Sequence, residues 1–155
     1  MDLDSFNKSD DIWHDRAKPD TCDILNELMV AESIEDFTHE YDGFFVDVSL
    51  KDYLNSLLEA HGFIKYAAIK ASGLAENYAF QIFQGYKNPS RDKLLALIFG
   101  MQLNLRECQR VLRLAGINEL YAKNRRDAII IFGLDHNLNV PQINDLLFDL
   151  EEYTL

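Results

Sequence analysis

The sequence predicts an all-α fold, and three kinds of observation support this prediction. Apolar residues recur three, four and seven positions apart, the spacing of one helical face, as they do from Leu50 to Leu58. Residues that favour helix starts precede several such segments, and glycines follow some of them. The caps are Ser49, Ser90, Asn104 and Asn139, and the closing glycines are Gly62, Gly85 and Gly116.

The composition is that of a soluble globular protein. The chain has 155 residues, of which 48% are apolar and 26% are charged, and this length suits one domain or a small domain with extensions. Its longest clear apolar run, residues 128–134, is too short to span a bilayer, and the acidic start differs from a signal peptide. Cys22 and Cys108 are expected to be free thiols, and the cytoplasm is the expected location.

Charge divides the chain into three predicted segments. Residues 1–48, an acidic N-terminal tail and helix, hold 14 acidic residues against three basic ones, a net charge of −11. Residues 49–117, the predicted core, hold nine basic residues against five acidic ones, a net of +4. Residues 118–155, a predicted C-terminal helical hairpin, hold three against seven, a net of −4. Because affinity for phosphate follows local charge, the total of −11 does not exclude a nucleic-acid partner.

The N-terminal segment is predicted to contain one helix after a tail. Residues 1–20 have no helical period and end near Pro19, which favours a tail. A helix over 21–37 follows, with Thr21 as its cap. Gly43 then marks a break. The apolar face of this helix comprises Ile24, Leu25, Leu28 and Met29.

The core segment is predicted to contain five helices. The first runs from the Ser49 cap to Gly62, and two short helices over 63–72 and 76–84 follow, joined through Gly73. A fourth helix covers 91–100 after Ser90. A fifth begins at Asn104, where Glu107 three residues on completes a capping box, and it closes at Gly116.

The C-terminal segment is predicted to form a helix pair. Residues 123–137 contain an isoleucine run that a strand would also explain, but the length and the flanking charge favour a buried helix. Arg125 and Arg126 in this stretch are interpreted as solvent-exposed basic residues. The last helix starts at the Asn139 cap, with Pro141 in its first turn.

The stretch from Gly73 to Ser90 has the pattern of a helical corner that suits nucleic-acid recognition. Gly73 is predicted to form a tight turn, and Leu74 is predicted to pack beneath it. Ala79, Ile82 and Phe83 are predicted to form the buried face of the second helix. The inner face of the first helix is assigned to Ile64, Ala68 and Ile69. The outward side chains of the second helix are predicted to be Glu76, Asn77, Phe80, Gln81 and Gln84.

Residues 50–117 resemble the Cro/repressor-type (XRE) helix-turn-helix family. The shared features are Gly73, Leu74, the stretch 76–84, Gly85 twelve residues after Gly73, and the exit sequence Asn88-Pro89-Ser90. The resemblance covers under half of the chain and implies five helices packed around this pair. It also implies sequence-specific binding of double-stranded DNA as a transcription regulator, in particular a repressor, with residues 76–84 as the recognition helix in the major groove.

The resemblance assigns roles by position. Glu76, Asn77, Phe80 and Gln81 occupy the base-reading face, and Lys65, Gln84, Tyr86, Lys87 and Asn88 occupy phosphate-gripping positions. Asn and Gln can pair with adenine, Glu can accept from the cytosine amino group, and Phe can cover a thymine methyl. Lysines and backbone N–H groups at helix starts suit phosphates.

The sequence departs from the family at three positions. Ala75 stands where a capping hydroxyl is usual, which forgoes roughly 1 kcal/mol at the helix start. Ile69 stands where the family has a small residue at the helix crossing, while Ala68 lies one place early. Glu76 brings a carboxylate towards the phosphates, which favours either a specific cytosine contact or a surface that does not bind DNA.

Other interpretations stay open. The corner could belong to an ordinary small α-bundle, with Tyr78 and Phe80 in its core. In a second alternative the fold is a protein-interaction module whose acidic N-terminal arm, containing Trp13, docks a protein partner or masks the DNA face. That arm could also be a flexible acidic tail that aids solubility.

A homodimer is a further predicted assembly. The C-terminal hairpin is rich in apolar residues, most of which must serve the core, but apolar helices also mediate dimerisation in this family. Dimerisation would place two recognition helices about 34 Å apart on successive major grooves. The residues concerned are Ile129, Ile130, Phe132, Ile143, Leu146, Leu147 and Leu150.

The sequence predicts neither an enzyme nor a cofactor or metal site. It lacks a glycine-rich phosphate loop, a serine-centred elbow and paired catalytic carboxylates. The histidines, His14, His39, His61 and His136, are scattered, and the spacing of Glu35 and His39 indicates an exposed ion pair rather than a metal site.

Overall fold

The computed structural model describes residues 21–41 and 48–155, and every regular element within these ranges is a helix. The all-α prediction is confirmed for this part of the chain. The predicted tail over 1–20, with Trp13, and the break at Gly43 lie outside the described residues. In chain order the helices are α1 (Thr21–Val30), α2 (Ile34–Glu40), α3 (Leu50–His61), α4 (Lys65–Ser72), α5 (Glu76–Phe83), α6 (Arg91–Gly100), α7 (Leu105–Leu114), α8 (Arg125–Asp135) and α9 (Val140–Asp149).

The chain divides into two units, Met1–Asp47 and Val48–Leu155. In the first unit, the prediction of a single helix over 21–37 is wrong, because the chain breaks between α1 and α2. Ser33 is extended, with φ −134° and ψ 129°, and its hydroxyl accepts a hydrogen bond from the N–H of Asp36. A serine in this conformation starts a new helix rather than continuing the old one. Thr21, predicted as a cap, is the first residue of α1.

A hydrogen bond joins the two helices of the first unit, and an aromatic contact lies within the second helix and its end. Tyr41, at the end of α2, stacks on Phe37 with ring centroids 4.7 Å apart, and its hydroxyl donates to the carboxylate of Glu27 on α1. The apolar face predicted for α1 is not buried in this structure. Its exposed members are Leu25, Leu28 and Met29.

In the second unit, local capping fixes most helix starts as predicted. The Ser49 hydroxyl accepts from the Asp52 N–H, and Gly62 ends α3 in the left-handed conformation. Asn104 and Asn139 both form complete capping boxes, with Glu107 and Gln142 respectively. Each box satisfies backbone N–H groups that a helix start would leave unpaired.

One apolar core runs through α3 to α9. Helix α6 is its centre, since every residue from Leu94 to Phe99 is buried. Residues 123–137 were predicted as a helix rather than a strand, and α8 confirms this. Gly133 of α8 packs tightly, because a Cβ there would lie 2.6 Å from Ile143 Cδ1 on α9 and 3.3 Å from Phe99 Cε1 on α6.

The closest helix crossing is between α4 and α6. Ile69 is fully buried there, although a small residue was expected at its position from the family pattern. The space that the Ile69 side chain needs at this crossing is provided by the opposite helix, α6. Gly100 of α6 faces Ala68 and Ser72, so that backbone packs on backbone. Within the described ranges, no helix combines the length and apolar character needed to cross a membrane.

Candidate nucleic-acid interface

The turn between α4 and α5 is held by a buried serine beside a left-handed glycine. Gly73 has φ 71°. The hydroxyl of Ser72 donates to the Ile69 carbonyl at 2.5 Å and accepts from the Leu74 N–H at 3.2 Å. The second of these bonds satisfies the Leu74 N–H, the first backbone donor after Gly73. Together the two bonds fix the direction of the chain as it enters α5. The role of Ser72 was not predicted from the sequence. Its position directly before a turn glycine was the feature that could have indicated it.

The inner side of the corner largely follows the prediction. Ala79, Ile82 and Phe83 of α5 are all buried, and Leu74 is partly buried against the core. Ala75 forms no side-chain cap bond at the start of α5, in keeping with its lack of a hydroxyl.

The face assigned to the preceding helix needs a correction at Ile64. Ile64 was placed on the inner face with Ala68 and Ile69, but its side chain is 74% exposed. It is the N-cap of α4, with extended backbone, so helical periodicity does not apply to it. Phe63 packs against the core instead.

The outward face of α5 is polar at both ends and apolar in its middle. Glu76, Asn77 and Gln84 are exposed, and Gln81 is partly exposed. Phe80 was predicted to point outward, but it is half-buried and packs against the core, as does Tyr78. Fewer side chains of this face are therefore free to contact a ligand than the sequence predicted, because one side of the Phe80 ring packs against the core.

The loop that leaves α5 presents three of the predicted contact residues. Gly85 has φ 82°, and the N–H groups of Tyr86 and Lys87 both donate to the Gln81 carbonyl, at 2.9 and 3.3 Å. This arrangement closes the helix and turns the loop away from it. Tyr86, Lys87 and Asn88 are all exposed, whereas the following Pro89 is buried and anchors the loop.

Helix α3 lies beside this exit loop and adds a residue that sequence reasoning missed. The Asn55 amide donates to the Phe83 carbonyl at 3.0 Å and to the Lys51 carbonyl at 2.7 Å. The aliphatic part of Lys51 runs alongside Gly85, because a Cβ on Gly85 would lie 3.0 Å from Lys51 Cδ. Lys51 thus lies near Lys87 at one end of α5. The only sequence feature that pointed to Lys51 was its position in the first turn of a predicted helix.

Two side chains of α4 lie beside α5, one near each end of that helix. Lys65 is partly exposed, and its Nζ lies 5.2 Å from the centroid of the Phe83 ring. The hydrogen bond of Tyr66 to Glu76 raises the pKa of the Tyr66 hydroxyl. Glu76 therefore lies close to the Tyr66 hydroxyl at the start of α5.

The charges around α5 are mainly positive. Lys51, Lys65 and Lys87 have no ion-pair partner among the described residues. The carboxylates nearby are Glu76, bonded to Tyr66, and Asp52, which accepts from the Ser49 hydroxyl at 2.6 Å. The lysines thus keep their charge available for an external anion.

The other cluster of charged side chains, at the start of α8, is internally paired. Arg126 was interpreted as solvated, but its side chain is only 16% exposed, and it pairs with Asp92 at 2.9 Å. Arg125 pairs with Glu152 at 2.8 Å. Arg91 pairs with Asp127, also at 2.8 Å. In the part of the chain that the structure describes, no group of three His, Cys, Asp or Glu side chains could hold a metal ion.

Comparison of the chain with protein-family models, with curated proteins and with solved structures finds no match. Function must therefore be inferred from the side chains and charges of the molecule itself. The surface made by α5, its exit loop and the flanking lysines of α3 and α4 is the strongest candidate in the described residues.

Proposed function

We propose that residues 50–117 form an XRE-type helix-turn-helix domain that binds specific sequences of double-stranded DNA, and that the protein regulates transcription, in particular as a repressor. One observation carries this proposal. The polar edge of α5 (Glu76, Asn77, Gln81 and Gln84) has lysines of three separate elements near its C-terminal end, and these lysines have no ion-pair partner among the described residues.

The polar edge suits base readout. Asn77 and Gln81 carry side-chain amides that can donate to N7-type and accept from N6-type positions of adenine in the major groove. Glu76 can accept from the cytosine amino group. Glu76 also lies beside the Tyr66 hydroxyl, whose pKa it raises.

The flanking lysines suit phosphate contacts. Lys51 and Lys87 stand at the C-terminal end of α5, and Lys65 stands on the helix before it. Phosphate contacts of this type fix the register of a protein on a duplex, while the base contacts select the sequence. The exposed side chains of Tyr86 and Asn88 add hydrogen-bond donors at the same end.

The test is binding of fluorescent duplex DNA across a salt series, with DNA selected from a random-sequence library and from the promoter region of the gene. The full-length chain is compared with a chain that starts at Val48, which retains the whole second unit. Nanomolar binding that weakens steeply with salt and prefers the selected sequence over random duplex supports the proposal. Binding only by the shortened chain makes the acidic arm an inhibitor. Failure of both chains on every duplex removes the proposal.

A second candidate function is a protein-interaction module that uses the acidic N-terminal arm. The observation that favours it is the exposed apolar face of α1, where Leu25, Leu28 and Met29 lie among acidic residues. An amphipathic helix of this kind can dock in a groove of a partner. If neither chain binds DNA, and a synthetic peptide of residues 21–41 binds a purified partner while its Leu28→Asp form does not, this candidate replaces the first.

A further inference from the structure

Two cavities of different character adjoin each other at the start of α8. One is an open apolar groove of about 460 Å³ between α8 and α9, and the other is a polar cavity of about 360 Å³ beside the first turn of α8. Arg125 lines both of them. The remaining residues are Ala128, Ile129, Phe132, Leu146 and Leu150 in the groove, and Arg91, Asn124, Arg126, Asp127 and Glu152 in the polar cavity.

We propose that the two cavities form one composite site for a soluble amphiphile with an alkyl chain and a carboxylate head, such as a medium-chain fatty acid. The chain lies in the apolar groove, and the head lies beside Arg125, where the groove meets the polar cavity. The proposal does not depend on DNA binding, because the composite site is built by α8, α9 and the first residue of α6 and not by α5.

The groove suits an alkyl chain. Its volume falls within the range of roughly 300–1,000 Å³ that is usual for small-molecule sites, and apolar side chains dominate such sites. Phe132 and Leu150 are 50% and 37% exposed, so they present apolar surface that a ligand can remove from water. The core does not need this surface, since other residues of the same helices supply it. These are Ile130, Ile143 and Leu147.

The junction of the two cavities suits a carboxylate. The Arg125 side chain is 63% exposed and pairs with Glu152 through Nη1 at 2.8 Å, while its Nε and Nη2 have no partner among the described residues. A guanidinium binds carboxylates through two parallel hydrogen bonds. Three arginines and two carboxylates line the polar cavity, which gives it a local charge of +1 although residues 118–155 carry −4. The arginines are Arg91, Arg125 and Arg126.

The charges along α8 set the direction of the ligand. Arg125 is the first residue of the helix, and Asp135 is the last, with a side chain that is 82% exposed. The positive end of the helix dipole lies at the Arg125 end as well, so an anionic head is favoured there and repelled at the other end. The distance along the axis from Arg125 to Phe132 is about 10 Å, which leaves room for a chain of the length of decanoate.

Glu152 makes the proposal specific. Its carboxylate, only 20% exposed, already accepts a hydrogen bond from Arg125, so it competes with the head of the ligand. Removing the charge of Glu152 should therefore strengthen binding of a carboxylate. A surface that attracts alkyl chains by apolar contact alone would not respond in this way.

The test is a titration of the full-length, nitrogen-15-labelled chain with decanoate, followed by amide chemical shifts. A Kd of roughly 100 µM is expected for a ligand of this size, with the largest shifts at the residues of the composite site. Decyltrimethylammonium, which has the same alkyl chain and a cationic head, should bind there at least about tenfold more weakly.

One pair of variants tests the groove. Phe132→Asp puts a carboxylate beside the chain of the ligand and should raise the Kd for decanoate at least about tenfold. Phe148→Asp is the matched control, because it adds the same charge to α9 at a residue that is 75% exposed and does not line the groove. Its Kd should stay within about threefold of the wild type. The amide spectrum of each variant shows whether it is folded.

Three variants test the head. Arg125→Gln should weaken decanoate about fivefold without weakening decyltrimethylammonium, and Glu152→Gln should strengthen decanoate about two- to fivefold. Lys123→Gln is the control for Arg125→Gln, since it removes a positive charge two residues away from a side chain that lines neither cavity. It should leave both ligands unchanged.

Several results would overturn the proposal. Decanoate that causes no shifts at the composite site up to about 2 mM does so, as does equal binding of the two amphiphiles or decanoate binding that Phe132→Asp leaves intact. Weaker binding by Glu152→Gln overturns the position of the head. Two other occupants of the groove also overturn it. A second copy would shift the same amides when the wild type is diluted without ligand, and a membrane would broaden them with phosphatidylglycerol vesicles while decanoate had no effect.

Discussion

Gly100, the last residue of α6, lies directly against the backbone of Ser72, the last residue of α4. A Cβ on Gly100 would lie 2.7 Å from the Ser72 nitrogen and 2.6 Å from the Ala68 carbonyl oxygen. Both atoms belong to main chain that cannot rotate away. Because Ser72 also holds the turn into α5, this contact connects the buried centre of the unit to the orientation of the candidate interface.

We expect Gly100→Ala to destabilise the second unit by about 2 kcal/mol. The added methyl forces α4 and α6 apart, which typically costs 1–3 kcal/mol in a packed core, while the better helix propensity of alanine returns less than about 1 kcal/mol at a helix end. Urea unfolding followed by circular dichroism measures the change. Gly116→Ala is the control: it has φ 69° and open space around the site, so only the backbone cost of about 1 kcal/mol applies. A Gly100→Ala chain as stable as the wild type would contradict the packing described.

Gln109 is expected to fix the connector between α7 and α8. Its amide donates to the Leu120 carbonyl at 2.8 Å and accepts from the Leu120 N–H at 2.7 Å, so one side chain satisfies both backbone groups of a buried residue. Gln109→Ala leaves both unpaired and should lower the free energy of unfolding by about 1–3 kcal/mol. Hydrogen exchange should show faster exchange at the Leu120 amide in particular. Lys123→Ala, at an exposed position of the same connector, should change neither quantity.

Asp127 should make the unit sensitive to acid. Burial alone would raise the pKa of its carboxyl, but two hydrogen bonds from Arg91, one from the Tyr121 N–H and the nearby charge of Arg126 outweigh burial and lower this pKa. A carboxyl whose pKa is lower in the folded than in the unfolded state stabilises the fold above its unfolded pKa of about 4, and this contribution is lost as the pH falls through the folded pKa.

The Asp127→Asn variant tests this linkage. At pH 7 it should be less stable than the wild type by about 2–4 kcal/mol, because it leaves Arg91 without its charged partner in a largely buried site. The difference should shrink as the pH falls from about 4 through the lowered folded-state pKa, below which the wild-type carboxyl is neutral as well. Urea titrations between pH 2.5 and 7 supply the comparison. A difference that stays constant over this range would mean that Asp127 does not carry its charge in the folded state.

Much of the fold could be predicted because its signals are local. The capping boxes of Asn104 and Asn139 and the left-handed glycines act within one helical turn, so the sequence alone located those helix ends. The isoleucine run of α8 was assigned to a helix for the same reason: its length and flanking charges are features of the segment itself. The break before α2 was missed, although Ser33 followed by Asp36 is also a local signal. Apolar residues on both sides of it concealed the cap.

The candidate site could be predicted less completely, because its composition depends on contacts between distant segments. Phe80 and Ile64 were placed by helical periodicity, but the real limits of α4 and the packing of the core decide their exposure. Lys51 joins the surface only because Asn55 ties α3 to the end of α5 across 28 residues. Arg126 looked solvated until Asp92, 34 positions earlier in the sequence, was found beside it. No pattern within a single helix contains such information.

The two thiols should differ sharply in reactivity. Cys108 is buried, and burial raises the pKa of its thiol to about 12 despite the opposing charge of Arg91, whereas Cys22 is exposed on α1. At pH 8 roughly one Cys108 thiol in ten thousand would be ionised even if a reagent reached it. A maleimide or disulfide reagent should therefore label one thiol per native chain within minutes and two after unfolding in urea. Cys22→Ser should abolish the native reaction, and fast labelling of two thiols in the native chain would contradict the buried position of Cys108.

If the second unit binds DNA as proposed, variants of the two parts of its surface should fail in different ways. Lys51→Ala and Lys87→Ala each remove one positive charge without a described ion-pair partner, so they should weaken binding to all duplexes alike and reduce the slope of log Kd against log salt by about 1. Asn77→Ala and Gln81→Ala should leave that slope nearly unchanged, because they remove no charge. They should instead cost about 1–3 kcal/mol on the selected site and relax the base preference at one position each.

Lys123→Ala is the charge-matched control, since this exposed lysine lies on the connector before α8 rather than beside α5. If it lowers the salt slope as much as Lys51→Ala does, binding reflects general charge, and the assignment of α5 as the recognition helix is wrong.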